Sequence, residues 1–182
     1  MSKFVAMIRG VGPGNPNMTS EKFKVFFTEL GFTNVSTVLA SGNVIFESQD
    51  NNTSNLANLI EQSMPKKLGY SRSVIVRSQS ELQKIIGLDI FKGVEQSHNK
   101  GTYLLITFFR NRPTLNLKLP FIPENKPYKI IGKADKVIFG VIDLTKSKTP
   151  DYMLWLEKMF GKDITSRTPK TIRLILSRMS KP

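Results

Sequence analysis

A chain of 182 residues with 40% apolar content is long enough to form one ordinary domain or two small ones, and it can bury a real core. The absence of cysteine excludes disulfides, thiol nucleophiles and thiolate metal sites and suits a reducing cytoplasm, and the start MSKFVAMIRG reads as neither a secretory signal nor a membrane span. The net charge of +13 is uneven along the chain, with ten Lys and Arg against eight Asp and Glu in residues 1–95 and seventeen against six in residues 96–182.

Residues 3–9 are apolar at both odd and even positions, which predicts a strand covered on both faces. Thr19 or Ser20 can cap a helix whose Phe23, Phe26, Phe27 and Leu30 follow helical spacing, and Gly31 stops it. The segments NVSTVLA and NVIFES read as two strands joined tightly through Ser41, Gly42 and Asn43, because Gly and Asn accept the backbone that a hairpin needs. Leu56, Leu59, Ile60 and Met64 mark a second helix with Pro65 at its end, and SVIVRS is a fourth strand. The order β-α-β-β-α-β is that of a ferredoxin-like unit.

A short helix near Ser80 to Ile86 leads into the polar connector KGVEQSHNKG. The pattern then starts again: TYLLITFF is a strand, residues 113–119 suit a short helical turn, and PYKIIG and KVIFGVID are two further strands. A helix follows at Pro150 to Phe160, where Tyr152, Trp155, Leu156 and Met159 form an apolar stripe. The last helix opens at SRTPKT with Pro169 in its first turn, and Ile172, Ile175, Leu176 and Met179 line one face. An α+β protein of two tandem ferredoxin-like units is expected, spanning 1–95 and 99–182, with the second unit the basic one.

FVAMIRGVGPGN, LGFTNVSTVLASGNVIFES and ITSRTPKTIRLIL together resemble the DUF1697 family, small bacterial proteins of two tandem ferredoxin-like domains. The similarity spans the chain, and LGFTNVSTVLASGNVIF is its most specific segment. The family pattern is closer to LRGINVGG in the first loop and TRNWNT near the last helix, so this chain departs from it at residues 11–15 and at Pro169-Lys170. The family is one of unknown function, so the resemblance implies a fold and no activity.

Candidate chemistry is sparse. The first loop has glycines at 10, 12 and 14, but Asn15 breaks the dinucleotide spacing and no G-K-[ST] follows, while Pro13 and Pro16 remove amides a phosphate would need. One histidine, His98, and no clustered carboxylates give neither a metal site nor a Ser-His-acid triad, and no cofactor is implied. The basic residues carry the main expectation: Arg167 and Lys170 at the start of the last helix, Arg173 along it and Arg9 after the first strand are candidates for binding an anion. The strands lack the aromatic pattern with which ferredoxin-like sheets stack single-stranded RNA. The function expected is that of a non-catalytic cytoplasmic protein binding nucleic acid or a phosphorylated small molecule through its basic second unit, with no membrane partner. Two alternatives stay open: an enzyme using Arg9, Arg167 and Asp135 on a small acidic substrate between the two units, and a structural module.

Overall fold

The computed structural model describes every residue except 13–15, 95, 97–100, 115–116 and 182. Pro13, Gly14 and Asn15 of the first loop and His98 of the connector therefore lie outside the described residues. Residues 1–84 and 172–182 form one compact unit, and residues 85–171 form a second.

The first unit runs β1 (Ser2–Ile8), α1 (Ser20–Glu29), β2 (Thr33–Thr37), β3 (Asn43–Ser48), α2 (Thr53–Leu68), β4 (Val74–Ser78) and the first two-thirds of α3 (Gln79–Gly87). Its antiparallel sheet has the order β2-β3-β1-β4, the ferredoxin-like arrangement. Register decides the faces. Phe4 lies opposite Phe46, and Ala6 opposite Val44 and Val76, so these side chains share the face that meets Phe23, Phe26 and Phe27 of α1 and Leu56, Ile60 and Met64 of α2. Val5, Met7, Ile45 and Ile75 point the other way and are buried as well, which is why β1 reads as apolar at every position.

The helix termini follow their capping residues. Thr19 accepts the Lys22 amide at the start of α1, and Asn52 accepts the amides of Ser54 and Asn55 at the start of α2. Pro65 does not end α2; the helix continues to Leu68 and stops at Gly69 with φ of 78°.

The second unit contains β5 (Thr102–Phe109), β6 (Tyr128–Ala134), β7 (Val137–Asp143), α4 (Thr149–Phe160) and β8 (Ile164–Arg167), followed by α5 (Pro169–Met179). The sheet order β6-β7-β5-β8 repeats that of the first unit. Its helix-facing side packs Leu105, Tyr128, Ile138 and Ile142 against Tyr152 and Leu156 of α4. The opposite side carries Phe139, against which Phe91 packs edge-on at 5.6 Å, while Ile90 fills the space over Gly132.

Four expectations change. β8 is an added strand with no sequence signal of its own, because four residues with a polar Thr-Ser centre carry too short a pattern to read as one. The helical turn at 113–119 is not formed by its described residues; prolines at 113, 120, 123 and 127 favour extended chain, and Phe121 instead bridges Ile130 on the outer edge of β6. Met159 is 39% exposed rather than part of the α4 core stripe. The boundary also moves: Ile85 to Val94 count with the second unit and most of α5 with the first, where Lys3 Nζ donates to the carbonyls of Met179 and Lys181 at 2.8 Å each and Arg178 donates to the Thr37 carbonyl at 2.7 Å.

This exchange redistributes charge. The first unit carries twelve Lys and Arg against six Asp and Glu, net +6, and the second fifteen against eight, net +7. The basic second half of the sequence becomes an even division in the fold, because Arg173, Arg178 and Lys181 travel with α5.

Candidate functional site

Arg9 follows β1 at the end of the first unit where three loops meet. Its amide donates to the Ser73 carbonyl at 3.0 Å, and the Ile8 amide donates to the Gly42 carbonyl at 2.7 Å, so β1 ends between the α2–β4 and β2–β3 loops. Gly10, with φ of 68°, lies beside the Arg72 side chain, and Arg72 sits over the Tyr70 ring at 5.6 Å. Tyr70 in turn donates its hydroxyl to the Asn17 carbonyl at 3.1 Å; its pKa is raised by burial, with Arg72 partly offsetting the effect.

The β2–β3 loop, residues 38–42, is the most constrained part of this end. Asn43 is fully buried and donates its amide to the Val38 carbonyl at 3.0 Å and to Ser41 Oγ at 2.9 Å. Gly42 has φ of 70°, and a Cβ there would come within 2.8 Å of the Ile8 carbonyl oxygen and of Val11. Only glycine fits. Within this frame Leu39 adopts φ of 60° with its side chain 53% exposed, a left-handed conformation that costs a leucine about 1–2 kcal/mol. The loop is thus longer than the tight Ser41-Gly42-Asn43 turn the sequence suggests, since β2 ends at Thr37.

The basic residues near α5 are arranged differently from one another. Lys170 and Arg173 are exposed and sit one turn apart on the same helix. Arg167 is half-buried on β8, where it donates to Thr165 Oγ1 and to the Ser166 carbonyl at 2.8 Å each. Burial pushes its pKa down to about 10, which leaves it cationic at neutral pH. Asp135 is held by Arg112 in the exposed β6–β7 turn, with Arg112 Nε at 2.7 Å.

One residue escaped the sequence reading. Arg77 is buried on β4 opposite Val5, just as Arg167 lies opposite Ile106 on β8. Arg77 also donates to the carbonyl of the residue before it, Val76, at 2.8 Å, and Glu81 approaches at 4.0 Å. In both units the arginine precedes a Ser or Thr that caps the next helix: Ser78 Oγ accepts the Glu81 amide and Thr168 Oγ1 the Thr171 amide, each at 3.2 Å. The signal was in the sequence as Arg-Ser in VIVRSQS and Arg-Thr in ITSRTPK.

No group of three His, Asp or Glu suited to a metal occurs among the described residues, and no described helix is long and apolar enough to cross a membrane. The family model described as "Protein of unknown function (DUF1697)" matches residues 1–133. The chain belongs to the DUF1697 family. Among solved structures it is similar to the conserved bacterial protein SP0830 from Streptococcus pneumoniae, with a TM-score of 0.70, 18% sequence identity, and coverage of 100% of this chain and 99% of that one. At that identity the likeness speaks for the fold alone, an α+β chain of two tandem units. No curated protein matches this sequence.

Proposed function

We propose that this chain is a non-catalytic, cytoplasmic bacterial protein that binds an anionic partner, and that the partner is nucleic acid held through its phosphates. The supporting observation is the even spread of positive charge, +6 on one unit and +7 on the other. A small phosphorylated ligand needs a few cations focused on one pocket, whereas a polyanion rewards cations distributed over a long surface. Lys170 and Arg173 on α5, Arg9 at the loop end of the first unit, Lys126 just before β6 and Lys129 and Lys133 on it belong to that distribution, and half-buried Arg167 adds its charge to the field. A base-stacking mode on the sheets has no support: every aromatic side chain on the described strands is buried or half-buried, and none of the exposed large apolar residues among those described is aromatic.

The test is a titration of labelled duplex DNA, single-stranded DNA and RNA by fluorescence anisotropy over a salt series, with a nucleoside triphosphate and inorganic phosphate in a parallel thermal-shift assay. The reading requires affinity for at least one polymer that falls linearly with the logarithm of salt concentration. Flat, weak binding at every salt concentration, or a thermal shift with the small phosphates alone, removes it.

A further inference from the structure

Leu39 poses a specific physical problem. Its backbone takes φ of 60°, a conformation that Gly or Asn adopts readily, yet its side chain is 53% exposed and recovers little by packing within its unit. The support beneath it is rigid, because Asn43 ties down both Val38 and Ser41 and the Gly42 backbone is pressed against Ile8 and Val11. Arg72 stands at the same loop end, exposed and braced on Tyr70, next to Gly10.

From this we infer that Leu39 is an apolar wedge that enters a base step of bound duplex DNA, with Arg72 contacting an adjacent phosphate. The inference rests on the proposed nucleic-acid function and names the contact that would reach the bases. Proteins that insert Leu or Phe between base pairs need an exposed apolar tip, an unyielding support and flanking cations, because unstacking the step has to be driven by a group that does not retreat. All three features coincide in residues 38–43 with 70–72. Since the sheet faces offer no stacking surface, a loop is where base contact remains open to this fold. Flexible pyrimidine–purine steps such as TA are the expected target.

The experiment compares the full chain with Leu39→Gly and Arg72→Gln on a duplex carrying 2-aminopurine beside a central TA step, from about 50 to about 200 mM salt. Wild type is expected to raise the 2-aminopurine fluorescence as the step unstacks. Leu39→Gly is expected to keep or raise the melting temperature, because glycine relaxes the φ of 60°, while binding roughly tenfold more weakly, with an unchanged salt slope and no fluorescence rise. Arg72→Gln is expected to keep the fluorescence response and lower the salt slope by about one. Wild-type affinity and fluorescence in Leu39→Gly overturn the wedge and leave the proposed function standing, as does binding confined to single strands. Absence of binding to any nucleic acid overturns both.

Discussion

The hydroxyl of Tyr152 on α4 lies directly over Gly140 of β7, so close that a Cβ at position 140 would fall 2.0 Å from it. The absent side chain at 140 is what lets α4 seat on the sheet. Gly140→Ala is therefore expected to destabilise the second unit by roughly 2–3 kcal/mol, since neither the strand nor a packed ring can yield that far. Among the described residues the buried Tyr152 hydroxyl has no well-formed hydrogen bond: Thr107 beside it, whose influence only partly offsets the effect of burial, is engaged with Ser166 Oγ at 2.7 Å. Tyr152→Phe should then cost nothing or add stability, and in the double variant it should recover part of the Gly140→Ala loss, which a thermal or urea denaturation cycle measures.

The same hydroxyl predicts how the protein responds to alkali. Burial raises the Tyr152 pKa far above 10.0, and burial also raises that of Tyr128, with Asp151 adding to the effect. A raised folded-state pKa means that the native protein keeps a proton the unfolded chain releases, so this stability is complete below about pH 10 and is lost as the pH rises beyond it. Denaturation midpoints are expected to be level up to about pH 10 and to fall steeply above it, and phenolate absorbance at 295 nm, on the order of one tyrosine short until unfolding, is the direct readout. Tyr152→Phe should flatten that decline.

How far the sequence reveals this fold depends on how much pattern each element carries. β1, β5 and β7 are legible because seven or eight residues apolar on both faces admit few other readings, and α1 and α2 because apolar spacing coincides with Thr19 and Asn52 at the caps. β8 is illegible for the opposite reason: its four residues gain their strand character from pairing with β5, a tertiary fact. The docking of α5 with the first unit is likewise invisible locally, since Lys3 and Met179 are 176 residues apart. Of the site, Arg9, Arg167, Lys170 and Arg173 could be named from charge alone. Leu39 could not, because an apolar residue in TVLA continues a strand pattern and nothing in its identity announces a left-handed backbone.

Lys3 terminates α5 electrostatically. Its ammonium donates to the Met179 and Lys181 carbonyls at the helix end, where carbonyls lack intrahelical partners and the dipole favours a cation. Lys3→Met keeps the methylene stem and removes the charge, so a loss of about 1 kcal/mol is expected. Hydrogen exchange should localise the effect, with faster exchange at the amides of residues 177–181 and no change in β6 or β7. Arg178→Ala removes the bond to the Thr37 carbonyl and should accelerate exchange in the same segment. Unchanged protection there in both variants would show that α5 is held by its buried Ile172, Ile175 and Met179 alone.

The exposed cations of α5 provide a test that separates binding from stability. Lys170 and Arg173 make up one face of its first turns, and both are exposed, so replacing either with Gln should leave the unfolding free energy within about 0.5 kcal/mol of wild type. If they meet phosphates, each replacement should lower the slope of log affinity against log salt by about 0.9, and the double variant by about twice that, because each contact releases its own share of counterions. Arg167 should behave otherwise. Its guanidinium is committed to Thr165 Oγ1 and the Ser166 carbonyl, so Arg167→Met is expected to leave the slope unchanged while altering stability through the buried charge it removes. A slope that shifts with Arg167 and not with Lys170 or Arg173 would move the contact surface off the helix and onto the β8 strand.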